Sequence, residues 1–583
     1  MDRMKELIPK GLPKGKQLVE EGRKIGEKIE IGKNAFETER NISFEEWWLT
    51  ETAQGKIKLF PQMGLRTIDE HIEATTKLYE ECRKRGVDFG AMYVTSSVVN
   101  GLPAKVRAKA AKGTSFVYES PDDYKRVMNA APIYVVFADH VVGCPNSVEN
   151  AINVLKAGSC AMGTFSQFSW KYPYWDDDVG QISETLKAVG ILASKRDEFV
   201  NLGSYIGDGI AGSFLDHASD VGYALLEQYI VDKLCGAAYN VSVGGLIGHL
   251  PSKLATWLAI FEAAKAESFD PVVGHYEGNT VDVSKDTAAN WGILLGDFIP
   301  FAVMERKYRT GAFYNPKPVT EALRVPTLDE IIDAAVACNA AMPRVMEIEE
   351  AGLFDDSEIL KLRDVLVENG RKFFENILKG LLDMGVDVQD PLQVMLAVTR
   401  LGGAKLEELF HPGEKDSSRY RGFVPFAVTD LFKKAEPLAR KYGETIRNEG
   451  LADAIRNRKI IVGSADTHEF GLYVLNKVVS EVGGKAVNAG VELDPEQALD
   501  LAHKEGTPYI AISIHNGQCV GWGEQLMREA MKRRQQVKVF MGGVLNTMDE
   551  SCTEPVDATG KLAELGIVPC EDPTDMARIM MQA

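Results

Sequence analysis

The residues with the most chemical potential lie in SADTHEFGLYVLNKVVSEVGG, Ser464 to Gly484. Asp466, His468 and Gly471 form a D-x-H-x-x-G spacing there, between a short apolar run and a helix-length apolar segment. An imidazole at a strand end lies at the carboxyl edge of an open parallel sheet, where such folds bind ligands. The carboxylate two residues earlier can hydrogen-bond the second ring nitrogen and fix its tautomer, as carboxylates do for metal-bound histidine. Gly471 lets the start of a helix approach a bulky flat ligand. The spacing equally suits an ordinary polar turn between strand and helix. Two later features bear on the choice: Ser513 closes the apolar run in AISIHNGQ, and Gly542 and Gly543 close the one in VFMGGVLN. All converge on one edge of a single expected sheet.

The surrounding elements follow from hydrophobic patterning. KIIVGS, YIAISI and VKVFMGG read as strands separated by helices at βαβ spacing, giving a compact α/β domain over 458–583. Upstream, short apolar runs such as YVVFA and NVSVGGL alternate with amphipathic segments such as SVENAINVLKAG. That alternation predicts a parallel α/β architecture, and its length suits a (β/α)8 barrel over 56–326. Residues 1–55 read as a charged arm with some helix, and 327–450 as a helical extension. The fold class expected is α/β: a TIM barrel with a helical extension, then a flavodoxin-like, Rossmann-like domain.

Composition excludes several classes. The net charge of −18 arises from 84 acidic and 66 basic residues spread along all 583 positions, which argues against a nucleic-acid partner. No apolar run approaches the ~20 residues of a bilayer span, and the first residues lack the apolar core of a signal peptide. No membrane partner and a cytoplasmic location are therefore expected. The eight cysteines form no C-x-x-C pair, so they read as reduced thiols rather than zinc ligands or a disulfide framework.

The D-x-H-x-x-G motif, the strand-end serine and the strand-end Gly-Gly together resemble the cobalamin-binding domain of cobalamin-dependent mutases and methyltransferases. The resemblance implies that His468 is the lower cobalt ligand and Asp466 its partner, with Gly471 close to the cofactor and Ser513, Gly542 and Gly543 where the nucleotide tail enters. The family's Ser-x-Leu reads Ser513-Ile514-His515 here, a departure. Three upstream segments are similar to the barrel subunit of glutamate mutase: PQMGLRTIDEHIEATTKLYEE, SWKYPY and KPVTEALRVPT. The chain thus resembles both subunits of that enzyme type fused in order. The implied cofactor is adenosylcobalamin, the implied partner a small carboxylic acid substrate, and the implied assembly a homo-oligomer. Lys317 and Glu321 inherit contacts to the adenosyl ribose; read without the resemblance they are an i,i+4 ion pair or solvated loop charges. Trp170 and Tyr174 pack against substrate, or simply into the core.

The substrate grip departs from the family. Positions where glutamate mutase carries arginines read Gln62 and Asp139, none lies between Asp88 and Leu102, and its substrate-contacting glutamate falls on Thr164. Losing that carboxylate argues against an α-ammonium group, and the expected reaction is interconversion of 2-methyleneglutarate and 3-methylitaconate by migration of an acrylate group. Arg66, with Arg107 behind it, is the expected carboxylate clamp. A glutamate mutase or a mutase of another small acid, a corrinoid methyltransferase, and a non-catalytic cobalamin-binding protein remain as alternatives.

Overall fold

The computed structural model describes residues 7–582 except 109, 111–114, 208, 270–271, 322–324, 420, 467–468, 492, 515–517 and 548–555. The chain divides into two compact units, Met1–Ala427 and Val428–Ala583. The border falls inside the expected extension, so helices Asp430–Asn448 and Ala452–Ile455 belong to the second unit.

A nine-stranded, all-parallel sheet organises the first unit. Its strands are β1 (Lys58–Leu59), β2 (Gln62–Met63), β3 (Ala91–Val94), β4 (Tyr134–Phe137), β5 (Ala161–Met162), β6 (Asn201–Ile206), β7 (Ala238–Val243), β8 (Val272–Glu277) and β9 (Phe313–Asn315). The order is β1-β9-β8-β7-β6-β5-β4-β3-β2. The sheet is curled, and its two terminal strands are neighbours in the chain, parted only by Phe60 and Pro61. Lys58 pairs with Phe313 on one side, whereas Gln62 pairs with Tyr93 on the other. The sequence reading expects eight strands in a barrel; the ninth arises because one expected strand is split. Pro61 has no N–H to give to a ladder, and the run changes partner there.

Helices cover the sheet. The segment read as SVENAINVLKAG forms helix Ser147–Ala157, which buries Ala151, Val154 and Leu155 and stops at Gly158 with φ 101°. Helix Ile68–Lys84, after β2, starts with a capping box in which Thr67 and Glu70 satisfy each other's backbone N–H groups. Helix Thr287–Tyr308 is long and apolar enough to cross a membrane by length and composition, which the sequence reading did not expect of any segment. Here it is a packed helix, with Phe298, Phe301 and Asp297 buried.

The N-terminal residues do more than form an arm. Helices Gly15–Gly26, Ala35–Arg40 and Phe44–Ala53 pack on the first unit. Phe44 stacks on Tyr134 with centroids 3.8 Å apart, and Trp47 lies 6.3 Å from Phe313. Tyr134 and Phe313 begin their strands, so these aromatics close the amino-terminal end of the sheet. A Cβ on Gly22 would collide with the carbonyl of Lys187, which shows how closely the first of these helices approaches helix Asp178–Ala193. Polar chemistry is left to the opposite, carboxyl-terminal end.

His71, on the buried face of helix Ile68–Lys84, has no hydrogen-bond partner at either ring nitrogen. Burial lowers its pKa from 6.5 to about 4. A histidine with a depressed folded pKa favours the folded state fully above its unfolded value and loses that advantage as pH falls from 6.5 towards 4, by ~3 kcal/mol. Replacing His71 with phenylalanine is expected to flatten the stability profile over that window, as read by urea unfolding at pH 7, 5.5 and 4.

The second unit carries a five-stranded parallel sheet: β10 (Lys459–Ser464), β11 (Lys485–Gly490), β12 (Tyr509–Ile514), β13 (Lys538–Gly543) and, after two short strands, β16 (Val568–Pro569). The intervening β14 (Asn546–Thr547) and β15 (Val556–Asp557) pair antiparallel with each other. The main order, β11-β10-β12-β13-β16, is the 2-1-3-4-5 arrangement of flavodoxin-like sheets. KIIVGS and YIAISI form β10 and β12 as read, and VKVFMGG forms β13 without its first residue.

Candidate functional site

A cavity of about 230 Å³ opens in the first unit at the carboxyl ends of its curled sheet. Strands β2 to β9 all contribute, because strand ends and the loops after them converge there. Gln62 comes from β2, Asp139 follows β4, Thr164 follows β5, His275 and Glu277 end β8, and Lys317 follows β9.

Glu277 is the hub of one side. Its Oε2 pairs with Lys317 Nζ at 2.8 Å and accepts from Asn315 Nδ2 at 2.8 Å, while its Oε1 meets His275 Nε2. His275 is held in turn by Ser242 Oγ at Nδ1, 2.6 Å away. Lys317 also donates to Gln62 Oε1 at 2.9 Å. Burial alone would raise the pKa of Glu277, yet Lys317 and His275 outweigh it and hold the carboxyl well below the usual range. Burial likewise pulls Lys317 down, but Glu277 and Glu321 more than restore it, and the net shift is upward. Both shifts favour a charged pair.

Asp139 anchors the other side. Its Oδ1 accepts from Tyr93 OH (3.1 Å), Thr164 Oγ1 (3.3 Å) and Gln167 Nε2 (3.1 Å). Glu277 and His275 are residues that the sequence reading missed. A signal was there: in GHYEGN the two polar residues alternate with an aromatic at the end of an apolar strand, and alternate residues of a strand share a face.

The expected site residues scatter more than the resemblance implies. Lys317 and Thr164 line the cavity. Glu321 is exposed in the turn that follows, and the ion pair of Lys317 is with Glu277, not with the residue four positions on. Trp170 packs edge-on against His140, with centroids 5.9 Å apart, and Tyr174 is 69% exposed with φ 59°; neither lines the cavity. Arg66 is exposed in the loop between β2 and helix Ile68–Lys84, and Arg107 spends its guanidinium on the carbonyls of Leu102 and Tyr118. Neither arginine reaches the cavity lining, which contains no guanidinium among the described residues. The clamp expected of Arg66 is therefore absent from this cavity, because the chain turns outward into a helix cap at Thr67.

In the second unit, register does the converging. Ser464 lies beside Ser513, and Ser513 beside Gly542, at the carboxyl ends of β10, β12 and β13. Asp466 is buried just past β10, where its Oδ1 accepts from Ser464 Oγ at 3.1 Å. A cleft of about 140 Å³ opens there, walled by Phe470, Gly471, Leu475, Phe540 and Met576, with Ser513, Gly542 and Gly543 along its edge. A Cβ on Gly542 would intrude to 3.1 Å from the carbonyl of Cys570, and Gly543 has φ 110° with its missing Cβ aimed at the carbonyl of Ile514. Bare backbone on one side and apolar side chains on the other fit a ligand with a flat apolar portion. His468 and His515 lie outside the described residues. Among those described, no group of three or more His, Cys, Asp or Glu side chains is placed to hold a metal ion, and seven cysteines are free thiols.

No family model matches the chain, and no curated relative matches it either. Among solved structures it has a slight likeness to a novel cobalamin-binding protein from Desulfitobacterium hafniense DCB-2. Identity is 11%, the TM-score is 0.18, and the alignment covers 26% of this chain and 82% of that one.

Proposed function

We propose that the chain is an adenosylcobalamin-dependent carbon-skeleton mutase, with substrate in the cavity of the first unit and the cofactor's tail in the cleft of the second. One observation carries the reading: residues marked by the resemblance converge on the carboxyl edge of each parallel sheet, Lys317 and Thr164 in one and Asp466, Ser513, Gly542 and Gly543 in the other. On this reading the curled sheet is a closed (β/α)8 barrel in which Lys58 to Met63 serve as a single strand. His468 would hold the cobalt, and Asp466, which accepts from Ser464, would be the carboxylate that holds His468.

When bound, adenosylcobalamin would supply radical chemistry. The chain's own residues position and shelter the reacting molecule. Lys317 stays protonated beside Glu277 and presents N–H donors to the cavity. Thr164 and Asp139 offer a hydroxyl and a carboxylate across from it.

The dicarboxylate 2-methyleneglutarate fits this lining poorly. Two carboxylates call for two cationic contacts, and the ammonium of Lys317 is already committed to Glu277.

The test is retention of cobalamin by the purified chain on gel filtration, followed in the dark without oxygen by proton NMR of 2-methyleneglutarate, L-glutamate and small amino acids. A rearranged product from any of them supports the mutase reading. A chain that retains no cobalamin would sink it. Gly542→Val, which fills the cleft, is expected to weaken cobalamin retention at least tenfold, about 1.4 kcal/mol, in a chain that still unfolds cooperatively.

A further inference from the structure

The two carboxylates of the cavity keep different company, and the difference bears on what the proposed substrate site accepts. Glu277 takes both basic side chains of the described lining, Lys317 and His275. Asp139 is bonded only by neutral donors, the hydroxyls of Tyr93 and Thr164 and the amide of Gln167, and all three converge on Oδ1. Its Oδ2 accepts no hydrogen bond from the described residues. Three bonds to one oxygen fix the direction of the other, and the side chain borders the cavity. Asp139 is half-buried, and the charge of Lys317 acts on it through space without a direct ion pair among the described residues.

We propose that Asp139 is the receptor for a protonated amine, and that the substrate is a compact, amino-acid-sized molecule whose ammonium group sits on Oδ2. This rests on reading the cavity as a substrate site. Thr164 stands where the resemblance places the carboxylate that an ammonium needs; the fold returns one from the neighbouring strand, 3.3 Å from the Thr164 hydroxyl. A cavity of about 230 Å³ suits a molecule of that size. An ammonium brings three N–H donors to a place where neutral donors already occupy the opposite oxygen.

The probes are 4-aminobutanoate and glutarate, which share a three-methylene chain and differ in an ammonium against a carboxylate at one end. Calorimetric titration of the full chain is expected to show 4-aminobutanoate binding at least tenfold tighter than glutarate. Asp139→Asn should remove tenfold or more of that affinity, the scale of a charge-assisted hydrogen bond. Thr164→Val, which loosens one of the three anchors, should cost about fivefold and serves if the asparagine variant does not fold. Tighter or equal binding of glutarate, no binding of 4-aminobutanoate, or affinity unchanged in the variants overturns the proposal. The same samples are assayed for cobalamin retention. A chain that keeps cobalamin but fails the amine test loses this inference alone; one that binds the amine through Asp139 but keeps no cobalamin loses the mutase reading alone.

Discussion

Lys317→Met is expected to destabilise the first unit by about 3 kcal/mol, the scale of breaking a buried ion pair by removing one partner. The change leaves Glu277 among Asn315 and His275 without its ammonium, inside a cavity wall where both side chains are nearly buried. The pH dependence gives a second signature. Glu277 has a folded pKa held below its ordinary 4.5, so its contribution is fully present above 4.5 and is lost as pH falls below it. The variant should therefore show a shallower loss of stability on acidification than the parent chain. Glu277→Gln combined with Lys317→Met should cost less than the two single changes summed, because neither charge is then left alone. Any turnover by the parent chain should fall on the order of 100-fold in the single variant, since the groups that frame the cavity shift. A Lys317→Met chain of parental stability and parental acid limb would show that the pair carries no weight.

The Lys253 and Asp297 pair behaves differently, although its geometry is as good. Lys253 Nζ lies 2.9 Å from both Asp297 oxygens, and neither side chain is more than 4% exposed. It joins helix Leu250–Ala266 to helix Thr287–Tyr308, and Tyr314 of β9 donates to the same carboxylate at 3.1 Å. Burial lowers the pKa of Lys253 despite Asp297, and burial raises that of Asp297 despite Lys253. Here removal from water outweighs attraction, the reverse of the balance at Glu277. Lys253→Met alone is expected to cost about 4 kcal/mol, since it strands a buried carboxylate. Adding Asp297→Leu should restore stability to within about 1 kcal/mol of the parent, because an apolar pair of similar volume has no charge to desolvate. Chemical denaturation of the three variants decides it. A double variant as weak as the single one would mean that the pair stabilises beyond its packing.

Much of the architecture was legible because periodicity reports burial. KIIVGS and YIAISI are continuous apolar runs of strand length, and helix Ser147–Ala157 carries its apolar residues at helical spacing. What escaped notice depends on contacts far apart in sequence. Nothing local in EEWW says that Trp47 meets Phe313, and although Pro61 marks a break in FPQM, nothing local says which strands take its two flanks. The site divides in the same way. Lys317 stood out because a motif framed it, yet its partner Glu277 sits forty residues earlier on the preceding strand and only the fold pairs them. Tyr174 belonged to an aromatic loop that reads as pocket-lining, but a positive φ turns it to solvent. Asp139 looked like an unexplained substitution until β4 and β5 set it beside Thr164.

The split segment from Lys58 to Met63 also governs how this chain can be made. It leaves the ribosome early, but one of its flanks is satisfied only by Phe313 and Tyr314. Translation at about 5–20 residues per second puts tens of seconds between the emergence of the two. Throughout that interval the nascent sheet has an unfilled edge, while Phe44 and Trp47 also wait for Phe313 to complete their packing. Slowing synthesis between residues 63 and 313 should therefore lower soluble yield, whereas slowing it after 427 should leave the first unit unaffected.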